Sequence, residues 1–87
     1  MKTSICTKIN DPGHGWLKVE KSFLKQLGIE NKISSYSYQK GFFAYLEEDC
    51  DMEIFLVAAR GQGYEISVHD TFTKNNADAE CRKFPCY

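Results

Sequence analysis

Hydrophobic and polar positions alternate in the first part of the chain, over residues 3–10 and again over residues 16–19. Alternation with a period of two is typical of β-strands whose two faces differ in burial. Between these segments, Pro12 presets φ for the first central position of a turn, and Gly13 tolerates a positive φ at the next. The pattern therefore predicts two strands joined by a hairpin-like reversal over residues 11–15.

The period changes over residues 20–27, where apolar residues recur at the i, i+1 and i+4 positions of a short helix. Gly28 suits the left-handed conformation that ends many helices, and the apolar Ile29 after it can fold back on Leu24. The sequence therefore predicts a short helix that stops at Gly28.

Two aromatic-rich segments with a period of two follow, over residues 33–39 and 42–47, and Gly41 lies in the short turn between them. Aromatic residues favour strands, and a short glycine-containing connection is typical of a β-hairpin. We expect a second hairpin, with Phe43 and Tyr45 on one face of its second strand.

A second helix is predicted over residues 50–60, since apolar residues recur there at i, i+3, i+4 and i+7. Asp49 is a favourable N-cap residue, and Gly61 is a natural stop. Residues 64–70 alternate again and predict a last strand. Residues 71–87 show no clear period and are expected to form a poorly defined C-terminal tail.

The predicted order of elements is β-β-α-β-β-α-β, which indicates an α+β fold. We expect a small antiparallel or mixed sheet of about five strands with two helices on one face. At 87 residues the chain should form a single domain over residues 1–87. Chains of this size bury only about 60–65% of their unfolded surface, so self-association into a homodimer is one expected source of stability.

Charge is distributed unevenly along the chain, although the formal net charge is only −1. Residues 1–46 carry a net charge of +4 and residues 71–87 a net charge of +1, whereas residues 47–70 carry −6. The overall balance lacks the basic excess of a general nucleic-acid binder. Five residues form what we call the acidic edge: Glu47, Glu48, Asp49, Asp51 and Glu53.

The acidic edge has three interpretations. Helix capping and a solvated surface would account for Asp49, Asp51 and Glu53, which fall at the start of the predicted helix. A surface that binds a basic protein, including one that imitates the phosphates of nucleic acid, is the second. A divalent-metal site is the third, but the segment lacks the glycine and the distal glutamate of a calcium-binding loop. No metal or other cofactor is therefore predicted.

Catalytic chemistry has few candidate residues. The two histidines are His14 and His69, and both are expected on the surface. Cys50 lies at a predicted helix N-terminus, where the dipole favours a thiolate, but the carboxylates of Asp49 and Asp51 oppose a further negative charge. A small hydrolase or metal enzyme around these residues is the least supported hypothesis, so the chain is not expected to be an enzyme and no catalytic residue is predicted.

The chain contains four cysteines, Cys6, Cys50, Cys81 and Cys86. The sequence shows no apolar stretch typical of a signal peptide or a membrane span, so we expect a cytoplasmic protein with reduced thiols and no membrane partner. Two alternatives are open: a disulfide between Cys81 and Cys86, and a zinc site that adds Cys6 or Cys50 to that pair.

Aromatic residues of the second predicted hairpin suggest an alternative function. Bases of single-stranded nucleic acid stack on exposed aromatic side chains next to basic residues. The residues that would form such a surface are Tyr36, Tyr38, Lys40, Phe43 and Tyr45. Packing in a core or a dimer interface competes with this interpretation, and the exposure of Phe43 and Tyr45 after folding distinguishes the two.

Several short segments resemble small uncharacterised proteins encoded by bacteriophages and mobile elements. They are Gly13-His14-Gly15-Trp16-Leu17-Lys18-Val19, Leu27-Gly28-Ile29, Lys32-Ile33-Ser34, Tyr36-Ser37-Tyr38 and Tyr45-Leu46-Glu47-Glu48-Asp49-Cys50-Asp51. The resemblance covers about residues 13–56 and implies a genomic setting but no catalytic residue. Small phage proteins often act by occluding a host protein, including CRISPR effectors, and an acidic surface suits a basic, nucleic-acid-binding target.

The function predicted from the sequence is therefore a small non-enzymatic binding protein that engages a basic host protein through the acidic edge. An inhibitor of host defence would act in this way. The alternative is a single-stranded nucleic-acid-binding module that uses the aromatic face of its sheet.

Overall fold

The computed structural model describes residues 2–87, which form a five-stranded mixed sheet and two α-helices. The elements in chain order are β1 (Lys2–Asn10), β2 (Gly15–Glu20), α1 (Lys21–Leu27), β3 (Tyr38–Lys40), β4 (Phe43–Glu47), α2 (Asp51–Gly61) and β5 (Tyr64–Phe72). The strand order is β3-β4-β2-β1-β5, with β1 and β5 parallel and the other neighbours antiparallel. The predicted α+β fold and order of elements are confirmed.

The main core lies between one face of the sheet and the two helices. Leu17 of β2 pairs in register with Leu46 of β4, and both side chains are fully buried. Leu24 of α1 and Phe55 of α2 belong to the same buried cluster, so both helices cover one face. Burial of each such side chain contributes about 1.5–3 kcal/mol to folding.

Within residues 2–87, neither α-helix has the length and the apolar composition that a membrane-spanning helix needs.

A smaller core lies on the opposite face of the sheet. Because side chains alternate along a strand, Trp16 of β2 and Tyr45 of β4 point away from the helices. They pack with Ala79 and Cys81 of the C-terminal segment, residues 73–87. Trp16 is 2% exposed and Tyr45 is 8% exposed. The C-terminal segment therefore covers part of the face that the helices leave open.

Short 3₁₀ helices and hydrogen bonds hold the C-terminal segment against the sheet. The 3₁₀ helices span Lys74–Asn76 and Glu80–Lys83. Tyr38 forms an isolated antiparallel bridge with Cys86, and the backbone N–H of Tyr87 donates to the carbonyl oxygen of Ser37 at 2.8 Å. The tail predicted from the sequence therefore packs on the fold, and its first two residues extend β5.

Helix α1 ends as the sequence predicts. Gly28 has a left-handed φ of 76°, and its N–H donates to the carbonyl oxygen of Lys25 at 3.0 Å. The N–H of Ile29 donates to the carbonyl oxygen of Leu24 at 3.0 Å. Glycine adopts this conformation without the steric cost that a Cβ atom would add, so the position favours glycine.

The predicted N-cap of α2 is wrong by one residue. The N-cap is Cys50 and not Asp49, and the carbonyl oxygen of Cys50 accepts the N–H of Ile54 at 3.2 Å. The N–H of Asp49 instead donates to Oε1 of Glu47 at 3.0 Å. Asp49 therefore belongs to the turn that joins β4 to α2.

The strand predicted over residues 33–39 is wrong over most of its length. The regular strand there is limited to Tyr38–Lys40, and a 3₁₀ helix spans Glu30–Lys32. The hydroxyl groups of Ser34 and Ser37 donate to the carboxylate of Asp51. Serine side chains that bond locally compete with the strand ladder, and here they hold the chain against the start of α2.

The turn between β1 and β2 is stabilised by a side chain and not by a glycine with positive φ. Gly13 does not adopt the predicted positive φ; in residues 2–87 the glycines with positive φ are Gly28, Gly41 and Gly63. Oδ1 of Asp11 instead accepts the N–H groups of Gly13 at 3.0 Å and of His14 at 2.9 Å. Such a bond from an aspartate to its own backbone mimics a backbone turn.

Candidate functional site

A pocket of about 500 Å³ opens at the end of the sheet where β2 begins and β4 ends. Its walls include the aromatic side chains of Trp16, Tyr36 and Tyr38, together with the carboxylates of Glu47 and Asp49. We call it the edge pocket. The residues come from three of the segments that carry the resemblance, so those segments meet at one place in the fold.

The pairing of β2 with β4 explains why these residues meet. Trp16 lies directly opposite Glu47 in the register, so the residues just before Trp16 and just after Glu47 lie at the same end of the strand pair. His14 precedes Trp16 by two positions and Asp49 follows Glu47 by two, so both lie at this end. One ligand atom from each of His14, Glu47 and Asp49 lies within 4.8 Å of the other two.

Gly15 lies where the strand ends approach each other closely. The carbonyl oxygen of Gly15 accepts the N–H of Glu48 at 3.1 Å. A Cβ atom at this position would lie 2.6 Å from Oδ1 of Asn10 and 2.8 Å from Oε2 of Glu48. A larger residue would therefore displace the ends of these side chains, including the Glu48 carboxylate that pairs with Lys8.

The structure divides the acidic edge into structural and accessible residues. Glu48 forms an ion pair with Lys8 at 3.0 Å, and Asp51 is fully buried. Glu47 is half-buried, whereas Asp49 and Glu53 are exposed, and within residues 2–87 none of these three forms an ion pair. The accessible negative charge of the edge is therefore that of Glu47, Asp49 and Glu53.

Asp51 has a structural role at the first position of α2. Its Oδ2 accepts the N–H of Ser34 at 3.0 Å, the hydroxyl of Ser34 at 2.7 Å and the hydroxyl of Ser37. The oxygen of Ser37 in turn accepts the N–H of Glu47 at 2.9 Å. Because Asp51 is fully buried, its side chain cannot contact a partner protein.

Arg82 closes one side of the edge pocket from the C-terminal segment. Its guanidinium lies 4.8 Å from the centre of the Trp16 ring and hydrogen bonds to both carboxylate oxygens of Asp11. The N–H of Ala79 also donates to Asp11, at 2.9 Å. The Arg82 guanidinium holds the pKa of the Asp11 carboxyl far below its usual value, against the opposing effect of burial and with help from backbone N–H groups.

The ion pair with Asp11 balances the positive charge of Arg82. Glu47 and Asp49 have no such partner within residues 2–87. The charge left at the edge pocket is therefore negative, and its walls are aromatic. This combination favours a cationic ligand group.

The residues of the alternative nucleic-acid surface do not form one open face. Tyr36 is 76% exposed, but Tyr45 is 8% exposed and its ring lies 5.2 Å from that of Phe84. Phe43 is half-buried, with Nζ of Lys18 4.2 Å from its ring centre.

The half-buried Tyr38 packs with the smaller core, and Nζ of Lys40 lies 4.7 Å from the Phe84 ring. The C-terminal segment thus occupies much of the face on which bases would stack.

The remaining candidate residues are the four cysteines and His69. All four cysteines are free; Cys50 and Cys86 are exposed, and Cys6 and Cys81 are buried. Cys50 lies in the wall of the edge pocket. His69 is exposed on β5, which is separated from β2 by β1, so it does not join His14.

Asp11, Trp16 and Arg82 were not identified as site residues from the sequence. The Asp-Pro-Gly order at residues 11–13 is typical of an aspartate that closes a turn, so Asp11 carried a usable signal. No local pattern around Arg82 indicates its role, because its position beside Trp16 depends on the path of the C-terminal segment. Trp16 was predicted only as the first residue of a strand.

Comparisons of the chain with protein-family models, with curated proteins and with solved structures gave no match. The function is therefore inferred from the geometry and chemistry of the edge pocket and the acidic edge.

Proposed function

We propose that this chain is a non-enzymatic binding protein that engages a basic partner protein through the accessible part of the acidic edge. The observation that carries the proposal is the edge pocket, in which the carboxylates of Glu47 and Asp49 lie beside aromatic walls. A lysine or arginine side chain fits this chemistry, because its charge pairs with carboxylates and its cationic group is attracted to aromatic faces.

Tyr36 supports the proposal as an anchor at the rim of the edge pocket. It is 76% exposed, so its ring is available to a partner. Tyrosine and tryptophan are enriched among the residues that dominate the free energy of protein binding. Tyr36 would cover the stem of a basic side chain while Glu47 and Asp49 bind its charged end.

A second concave surface extends the binding area on the other side of Asp49. It has a volume of about 640 Å³ and includes Glu53 and Val57, and Val57 is 65% exposed. Protein interfaces combine an apolar centre with a charged rim. The acidic edge flanked by these two concave surfaces matches that arrangement.

The partner that suits this surface is a basic, nucleic-acid-binding host protein. The resemblance to bacteriophage and mobile-element proteins makes a host-defence protein, including a CRISPR effector, the class we favour. Complementary charge would speed association and would make it sensitive to salt. Occlusion of a nucleic-acid-binding surface would then inhibit the partner without any chemical step.

The test is affinity capture of host proteins from a bacterial lysate with matched charge variants. The test variant replaces Glu47, Asp49 and Glu53 by Gln, Asn and Gln. The control replaces three exposed glutamates elsewhere, Glu30, Glu65 and Glu80, by Gln and so changes the net charge equally. We expect the control and the unchanged chain to capture the same basic protein, and the test variant to lose it.

Equal capture by the two variants would overturn the proposal, because binding would then not depend on the charges of the acidic edge. A single-stranded oligonucleotide serves as a further ligand. Salt-dependent binding of that oligonucleotide, lost on replacement of Tyr36 and Lys40 by Ala, would instead support the nucleic-acid-binding alternative.

A further inference from the structure

We propose that His14, Glu47 and Asp49 bind one divalent transition-metal ion at the mouth of the edge pocket. One ligand atom from each side chain lies within 4.8 Å of the others. Small movements of exposed side chains bring such atoms to the shorter spacing of ligands on one ion. His14 and Asp49 are exposed and Glu47 is half-buried, so an ion can reach the three side chains from solvent.

The ligand set indicates the class of metal. Zinc is bound by imidazole nitrogen and by carboxylate oxygen, whereas calcium and magnesium prefer oxygen ligands alone. One imidazole with two carboxylates therefore favours Zn²⁺ and its first-row neighbours over Mg²⁺. Three protein ligands leave at least one coordination position for water or for a partner's side chain.

The backbone around the three ligands is held in place before any ion binds. The N–H of His14 donates to Oδ1 of Asp11 at 2.9 Å, and the N–H of Asp11 donates to the carbonyl oxygen of His14 at 2.9 Å. Oε1 of Glu47 accepts the N–H of Asp49 at 3.0 Å. Outer hydrogen bonds of this kind orient metal ligands and reduce the entropy lost on binding.

A second observation at the edge pocket concerns Trp16. This residue is 2% exposed, and its Nε1–H has no acceptor within residues 2–87. Trp16 lines the same pocket as the three ligands, and its ring centre lies 6.1 Å from that of His14. A buried donor without an acceptor is costly, and such a donor indicates a bound water molecule or another acceptor beside the Trp16 ring.

The test is calorimetric titration of the purified full chain with Zn²⁺, with Mg²⁺ as the comparison ion. We expect one Zn²⁺ per chain and no measurable binding of Mg²⁺. His14→Ala and Asp49→Asn should each weaken Zn²⁺ binding by about tenfold or more, since even outer-shell changes at metal sites cost 10–100-fold in affinity. His69→Ala and Cys86→Ser are the matched controls and should bind as the unchanged chain does.

Nuclear magnetic resonance of the two histidine rings locates the ion without reference to any activity. Zn²⁺ should shift the ring signals of His14 and leave those of His69 in place. The inference is overturned if no stoichiometric binding occurs. It is also overturned if His14→Ala, shown to be folded by circular dichroism, binds Zn²⁺ as well as the unchanged chain, or if Cys50→Ser alone removes binding. The ion would compete with a basic side chain of the partner for Glu47 and Asp49. Because no partner protein is present in this experiment, its outcome is independent of the proposed function.

Discussion

The guanidinium of Arg82 hydrogen bonds to both carboxylate oxygens of Asp11, although 71 positions separate the two residues. Asp11 lies in the turn between β1 and β2, and Arg82 lies in the C-terminal segment. The side chain of Asp11 is fully buried and that of Arg82 is 31% exposed. This ion pair therefore holds the C-terminal segment, which covers the second face of the sheet, against the turn that carries His14.

Replacement of Arg82 by Ala should lower the free energy of unfolding by about 2 kcal/mol, since hydrogen bonds to charged groups contribute about 1.5–3 kcal/mol. Urea denaturation measures the change. The neighbouring Lys83 is exposed, and Lys83→Ala should change stability by less than about 0.5 kcal/mol. Equal effects of the two substitutions would show that the pair does not hold the segment.

The ion pair between Asp11 and Arg82 also predicts that stability depends on pH. The pKa of Asp11 in the folded chain lies far below its value of about 3.9 in an unfolded chain. The folded state therefore binds fewer protons than the unfolded state in this pH range. The stabilisation by Asp11 is complete above about pH 5, and it is lost as the pH falls through 3.9 toward the pKa of Asp11 in the folded chain.

Asp11→Asn removes this titration and should flatten the acid side of the stability curve. Urea denaturation at several values between about pH 2 and pH 7 gives the two curves. Parallel curves for Asp11→Asn and the unchanged chain would contradict the role assigned to the carboxylate.

Ser37 links the buried carboxylate of Asp51 to the N–H of Glu47. Ser37→Ala removes a donor from Asp51 and leaves the N–H of Glu47 without its acceptor, so we expect a loss of about 1–3 kcal/mol. Ser35 is exposed, and Ser35→Ala should have little effect. Thermal denaturation of both variants tests the prediction, and a Ser37→Ala variant as stable as Ser35→Ala would refute it.

The thiols should divide into two classes by reactivity. Cys50 and Cys86 are exposed, whereas Cys6 and Cys81 are buried. Burial, together with the charge of Asp11, raises the pKa of the Cys81 thiol to about 11, and burial also raises the pKa of Cys6. Since the thiolate is the reactive form, Cys6 and Cys81 should stay unmodified in the folded chain.

Titration with a chromogenic disulfide near pH 8 should therefore show two fast thiols, and four after denaturation. Cys50→Ser and Cys86→Ser should each remove one fast thiol. Three or four fast thiols in the folded chain would contradict the burial of Cys6 and Cys81.

Local patterns predicted the elements whose geometry depends on neighbouring residues alone. The cap of α1 at Gly28 and Ile29 was predicted correctly, because a glycine followed by an apolar residue specifies its own hydrogen bonds. The segment before β3 was predicted incorrectly, because its serines bond to Asp51 from a later element. A single-sequence pattern contains no signal for such a partner.

Hydrophobic period, turn residues and local charge were enough to predict the order of elements, the α+β class and the position of the acidic edge. Tertiary structure alone decided which acids remain accessible: it buried Asp51, paired Glu48 with Lys8, and left Glu47 and Asp49 beside His14. Strand register and the path of the C-terminal segment produce that arrangement. Both depend on contacts between residues far apart in the chain, which pattern and propensity do not encode.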